Sequence, residues 1–178
     1  IGYMMLGLSF DTVTGVAAGI VHLFNHAAMK GGLFMALGAV AYRVGGVRLE
    51  HMAGLGKKMP WTMASLVAGG LGLIGVPLTV GFVSKWYLVQ AALEKGWWMI
   101  AVLIVICSLL AVIYVWRVVE VIYFLPASKV AQEAKEAPLS MLIPTWVLIG
   151  ASIYFGIDAT TTLDVAFAAA RTLLGDGG

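Results

Sequence analysis

The stretch "HLFNHAAMK" places His22, His26 and Lys30 at intervals of four residues. On an α-helix each such step advances about 6 Å and turns about 40°, so the three side chains form one slanting stripe. Imidazoles take up and release protons near neutral pH through either ring nitrogen, and a lysine carries its proton on a flexible stem. With water between them, such groups can relay protons. Two blander readings use the same residues. Each histidine can simply satisfy a neighbouring hydroxyl or carbonyl, and histidines at i and i+4 can chelate zinc or copper. No cysteine or carboxylate lies within a turn of the pair, and a protonated lysine one turn away would repel an ion, so no metal site is expected.

A second cluster stands in "GLGLIGVPLTVGFVSKWYLV", where Gly75, Pro77 and Gly81, with Gly70 and Gly72, precede Lys85. Proline removes a backbone donor and clashes with the preceding turn; glycine admits dihedrals closed to other residues. A plain kink with packing glycines would account for these residues alone. Open backbone inside a bilayer persists only where it lines protein or water, and broken helices of that kind line ion paths in transporters. Lys85, just past the break, makes a path the better reading. A lysine at the centre of a spanning helix costs roughly 2.5–3.5 kcal/mol, and snorkelling relieves that cost only near helix ends. Lys30 and Lys85 both lie deep in apolar sequence.

The elements around these groups follow from composition. The chain has 178 residues, 61% hydrophobic and 11% charged, with mean hydropathy +0.97. Soluble domains carry about a quarter charged residues, so an integral membrane protein is indicated. Its long continuous apolar runs predict helices rather than a barrel: an all-α, polytopic transmembrane bundle. Residues 1–10 read as the end of a spanning helix, followed by a turn at Asp11 and Thr12 with a cap. Further helices are predicted at 13–42, at 61–93 (broken) and at 97–124, so that 1–124 forms the proton-conducting region. Residues 125–138 read as a polar cytoplasmic connector, 139–157 as the last crossing, and 158–178 as an amphipathic tail lying at the interface. The chain begins at Ile1 without a methionine, and is read as the C-terminal piece of a longer protein.

Arg43, Arg48, Lys57 and Lys58 fall in one loop and Lys129 and Lys135 in the connector, with Arg117 beside it. If 61–93 crosses once, both basic segments lie on one side, and the bias of Lys and Arg makes that side cytoplasmic. Trp97 and Trp98 at one end, and Trp116, Tyr123 and Phe124 at the other, suit interfacial belts. Arg117 and Glu120 are spaced to pair on a helix face. Cys107, the single cysteine, reads as a small packing residue. No phosphate loop, nucleophile with its base, or carboxylate pair is present, so no catalytic residue is assigned. Nor does a basic stripe with exposed aromatics suggest nucleic acid.

Taken together, "IGYMMLGL", "HLFNHAAMKGGLF" and "GVPLTVGFVSKWYL" resemble the antiporter-like membrane subunits of respiratory complex I and of Mrp-type cation/proton antiporters, most closely the D component of the Mrp group. The resemblance covers about Ile1 to Phe124. It implies the C-terminal part of a protein of about fourteen crossings with two inverted half-channels and one discontinuous helix in this portion. It also implies that His22, His26 and Lys30 form a central polar axis, and that Lys85 is the proton-binding residue of the broken helix; some family members carry glutamate at that position. The expected function is a proton-translocating subunit of a multi-subunit monovalent cation/proton antiporter in the bacterial plasma membrane. Its partners would be other membrane subunits, lipid, protons and sodium or potassium, with no cofactor. A proton-pumping subunit of a complex I-like or hydrogenase-linked redox complex, with enzyme membership on that account left open, is the first alternative. A non-conducting scaffold is the second.

Overall fold

Nine helices and a 3-10 turn account for most of residues 1–175, which the computed structural model describes. The last three residues of the 158–178 tail lie outside the described residues. The order is α1 (Gly2–Ser9), α2 (Val13–Val44), α3 (Leu49–Met52), the turn Leu55–Lys57, α4 (Pro60–Ile74), α5 (Val80–Glu94), α6 (Trp98–Tyr123), α7 (Lys129–Glu133), α8 (Leu139–Ile157) and α9 (Thr160–Leu174). No strand occurs among the described residues.

Helix α2 is the axis of the bundle: α1, α4, α5, α8 and α9 all pack on it. Thr12 starts it, accepting a hydrogen bond from the Gly15 N–H at 3.1 Å, and Gly45 ends it at φ +75. At 1.5 Å per residue its 32 residues span about 48 Å, longer than a ~30 Å hydrocarbon core. By length and composition, α6 and α8 are the described helices apolar enough to cross a membrane on their own. The polar residues of α2 keep it out of that class, and its position explains how it tolerates them: it turns them toward other helices rather than outward. Its approach to α1 is close enough that a Cβ on Gly7 would meet the Gly15 carbonyl oxygen at 2.7 Å.

One end of the molecule departs from a plain loop reading. The basic segment after α2 folds into α3 and the 3-10 turn, and buries Met52, Leu55 and Met59. The connector forms α7 and buries Ala131, Ala134 and Ala137 in the same cluster. The Gly54 N–H donates to the Val121 carbonyl at 3.0 Å and the Ser128 N–H to the Ala53 carbonyl at 3.1 Å. Both basic segments thus share one end of the bundle. Arg117 and Glu120 pair there at 2.6 Å on the exposed surface, a contact of small energetic weight.

Glu136 joins the connector to α4. Its carboxylate accepts from the Trp61 N–H at 2.7 Å and from Thr62 Oγ1 at 2.6 Å. A carboxylate on free N–H groups at a helix N-terminus satisfies them and faces the positive end of the dipole. Glu136→Ala should cost about 1–2 kcal/mol, seen as a lower unfolding temperature of the purified complex, whereas Glu136→Gln should recover part of the loss.

Helix α9 is 15 residues, about 22 Å, too short to span a bilayer. It lays Ala166 and Ala170 against Val16, Ala17 and Val21 of α2, and leaves Val165 and Leu173 exposed.

Candidate functional site

Helix α4 stops at Ile74 because Gly75 adopts φ +85, a left-handed cap whose N–H donates to Leu71 and Gly72 carbonyls at 3.0 and 3.1 Å. Pro77 follows in the turn, Leu78 takes φ +73, and α5 begins at Val80. A helix end leaves its last carbonyls without intrahelical partners. Here Lys85 supplies them: its Nζ donates to the Leu73 carbonyl at 2.8 Å and to the Ile74 carbonyl at 2.9 Å. The negative end of the α4 dipole favours a cation at that point. An ammonium has three donors, so one N–H is left for the surroundings.

Those surroundings are a cavity of about 580 Å³ whose lining includes Tyr3, His22, His26, Leu73, Lys85, Cys107 and Tyr114. The Tyr3 ring stands 5.8 Å from Lys85 Nζ and meets the His22 ring edge-on at 5.3 Å. His22 and His26 stack with ring centroids 5.8 Å apart. His22 is buried and His26 half-buried. The stripe on α2 therefore reaches the amine of α5 in one space, except at its lower end. Lys30 lines an adjoining cavity of about 270 Å³, its Nζ 5.9 Å from the Phe34 ring centroid.

His22 Nδ1 and Ser84 Oγ share a hydrogen bond of 2.9 Å inside the bundle. The serine hydroxyl also lies 3.4 Å from the Gly81 carbonyl. Ser84 can therefore donate to an unprotonated Nδ1, or accept from a protonated one while donating to the carbonyl. Nδ1 of His22 is therefore satisfied in either tautomer, so a proton can be gained or lost there without stranding that atom.

Sequence reasoning did not single out Ser84, Tyr3 or Asn25. Asn25 is 1% exposed and its Nδ2 donates to the Val80 carbonyl at 2.8 Å, tying α2 to the first turn of α5. The signal was present, since Asn25 lies one residue from His26 on the same helix and Ser84 directly precedes Lys85. Gly81, grouped with the break in the sequence reading, lies in the first turn of α5, where it presses against the Gly72 carbonyl oxygen. Gly156 of α8 was also not foreseen: a Cβ there would meet Leu78 and Thr79 backbone. Among the described residues no group of three or more His, Cys, Asp or Glu side chains could hold a metal.

The family model described as NADH:quinone oxidoreductase/Mrp antiporter, TM, matches residues 1–114. NADH-quinone oxidoreductase subunit N of Desulforudis audaxviator is 40% identical over 83% of this chain and 32% of its own length. Hydrogenase-4 component B of Escherichia coli is 31% identical over 90% of this chain and 26% of its own. A putative antiporter subunit mnhD2 of Staphylococcus epidermidis is 29% identical over 93% and 33%. This chain thus spans about a third or less of the curated relatives named. A chain in the structure of the Mrp complex from Dietzia superposes with TM-score 0.88 at 24% identity, covering 98% of this chain and 41% of that one. One in Thermus thermophilus respiratory complex I gives 0.87 at 19%, over 99% and 37%. Both share the fold. The chain belongs to the NADH:quinone oxidoreductase/Mrp antiporter transmembrane family.

Proposed function

We propose that this chain is the proton-translocating half-channel of an antiporter-like membrane subunit, with Lys85 as the group that binds and releases the proton and His22 and His26 as its relay. The observation that carries the reading is Lys85 itself. Its amine is held on two helix-end carbonyls, with its third donor facing a cavity shared with two stacked imidazoles. On losing a proton the amine turns a lone pair toward the same space, so uptake and release need no large movement. Lys30 extends the path into the second cavity. In this reading α4 and α5, each 15 residues, are the halves of one discontinuous crossing within a protein of about fourteen. A bacterial plasma membrane and further membrane subunits complete the setting.

Exchange of protons for sodium or potassium is the first reading of how the movement is driven. Its support is the 29% identity to a putative antiporter subunit mnhD2 over 93% of this chain. Redox-driven pumping is the second, favoured by the 40% identity to a subunit N. Vesicles holding the complete complex, with a pH-sensitive dye inside, separate the two by the driver supplied: a cation gradient or an electron donor. Under the effective driver, Lys85→Met should bring the signal to background while the complex still assembles. A signal of wild-type size in that variant overturns the proposal.

A further inference from the structure

The two cavities share two lining residues, Leu73 of α4 and Tyr114 of α6. Leu73 occupies a double position. Its carbonyl accepts from Lys85 Nζ at 2.8 Å, and the residue lines both the cavity of His22, His26 and Lys85 and that of Lys30. The titratable side chains that line this cavity with Lys85 are Tyr3 from α1, His22 and His26 from α2, and Cys107 and Tyr114 from α6; among the described residues no carboxylate lines it.

We propose that Leu73 is a positioning residue that acts as a valve between the two cavities, and that Lys85 sets it through the Leu73 carbonyl. The proposal rests on the proton-translocation reading above. While Lys85 is an ammonium, two charge-assisted hydrogen bonds hold the last turn of α4, and with it the isobutyl group, across the junction. When the proton passes from Nζ to a water or an imidazole, no other bond changes. The amine keeps two neutral donors, and neutral hydrogen bonds are roughly half as strong. The last turn of α4 then has slack, and it has a place to move: Gly72 lies just before Leu73, and Gly75 just after Ile74. An apolar side chain obstructs a water chain because water finds no partner there. A junction that wets only after Lys85 has released its proton keeps the two cavities from being joined while the site is loaded.

Vesicles holding the complete complex test this, with passive proton leak measured without cation gradient or electron donor, alongside driven transport. Leu73→Ala should raise the leak about tenfold and lower the ratio of driven transport to leak. Leu73→Met, of similar volume, should restore the wild-type leak. A merely structural role would lower driven transport without raising leak. If Leu73→Ala does not assemble, Leu73→Val serves: it should raise the leak by less than the alanine variant would, and an unchanged leak in it overturns the valve. An unchanged leak in Leu73→Ala, with Lys85→Met still inactive, overturns the valve but leaves the proton path intact. If Lys85→Met is active, both readings fall.

Discussion

Lys85→Arg is expected to yield a complex that assembles and unfolds at nearly the wild-type temperature, yet moves no protons. The two functions of Lys85 separate in this variant. As a hydrogen-bond donor it satisfies the Leu73 and Ile74 carbonyls, at 2.8 and 2.9 Å. Each such bond from a charged donor is worth about 1.5–3 kcal/mol. A guanidinium offers five donors, and the cavity of about 580 Å³ gives the longer side chain room. It does not lose its proton in proteins. The arginine variant therefore keeps the cation on the end of α4 but cannot complete a cycle of uptake and release. Lys85→Met loses both functions, and should show lowered stability as well as lost transport. Dye-reported proton movement and the unfolding midpoint of each purified variant give the comparison. Arginine at wild-type rate would mean that Lys85 serves only to hold the helix end.

How much of this could be read from residues alone differs from one feature to the next. An all-helical fold follows from long apolar runs, because only helices satisfy every backbone group within one continuous segment in lipid. The stripe on α2 follows from helical periodicity, which fixes angles within an element. What lies across from that stripe is a tertiary matter. Nothing in the types of Leu73 and Ile74 marks their carbonyls as partners of Lys85, since every residue carries one; only the left-handed turn at Gly75 aims them at the amine. The division of the stripe between two cavities is hidden for the same reason, because Leu73 and Tyr114 come from other helices. The basic segment after α2 reads as a loop by its glycines and charges. Its burial of Met52, Leu55 and Met59 depends on α7, about 70 residues onward in sequence. Propensity within the segment is weak, and packing against the connector decides its shape.

Gly81→Ala should be the most damaging single methyl group added to this chain. A Cβ there would run into the Gly72 carbonyl oxygen and come within 3.3 Å of Met29 Sδ. The first collision is with backbone, which has no rotamer to escape into, and that oxygen is already fixed by the Gly75 N–H at 3.1 Å. The clash resolves only if α4 and α5 move apart, which draws Lys85 away from the Leu73 and Ile74 carbonyls. Overpacking of this kind costs about 3 kcal/mol, so the unfolding midpoint of the purified complex should fall and proton movement should be lost with it. Gly38→Ala is the matched control on α2, since a Cβ there meets nothing within 4 Å. Alanine is the better helix former by roughly 0.5–1 kcal/mol, so that variant should be neutral or slightly stabilising. A Gly81→Ala complex that melts and transports like wild type would show that α4 and α5 need not touch, and the link between the break and the site of Lys85 would fail with it.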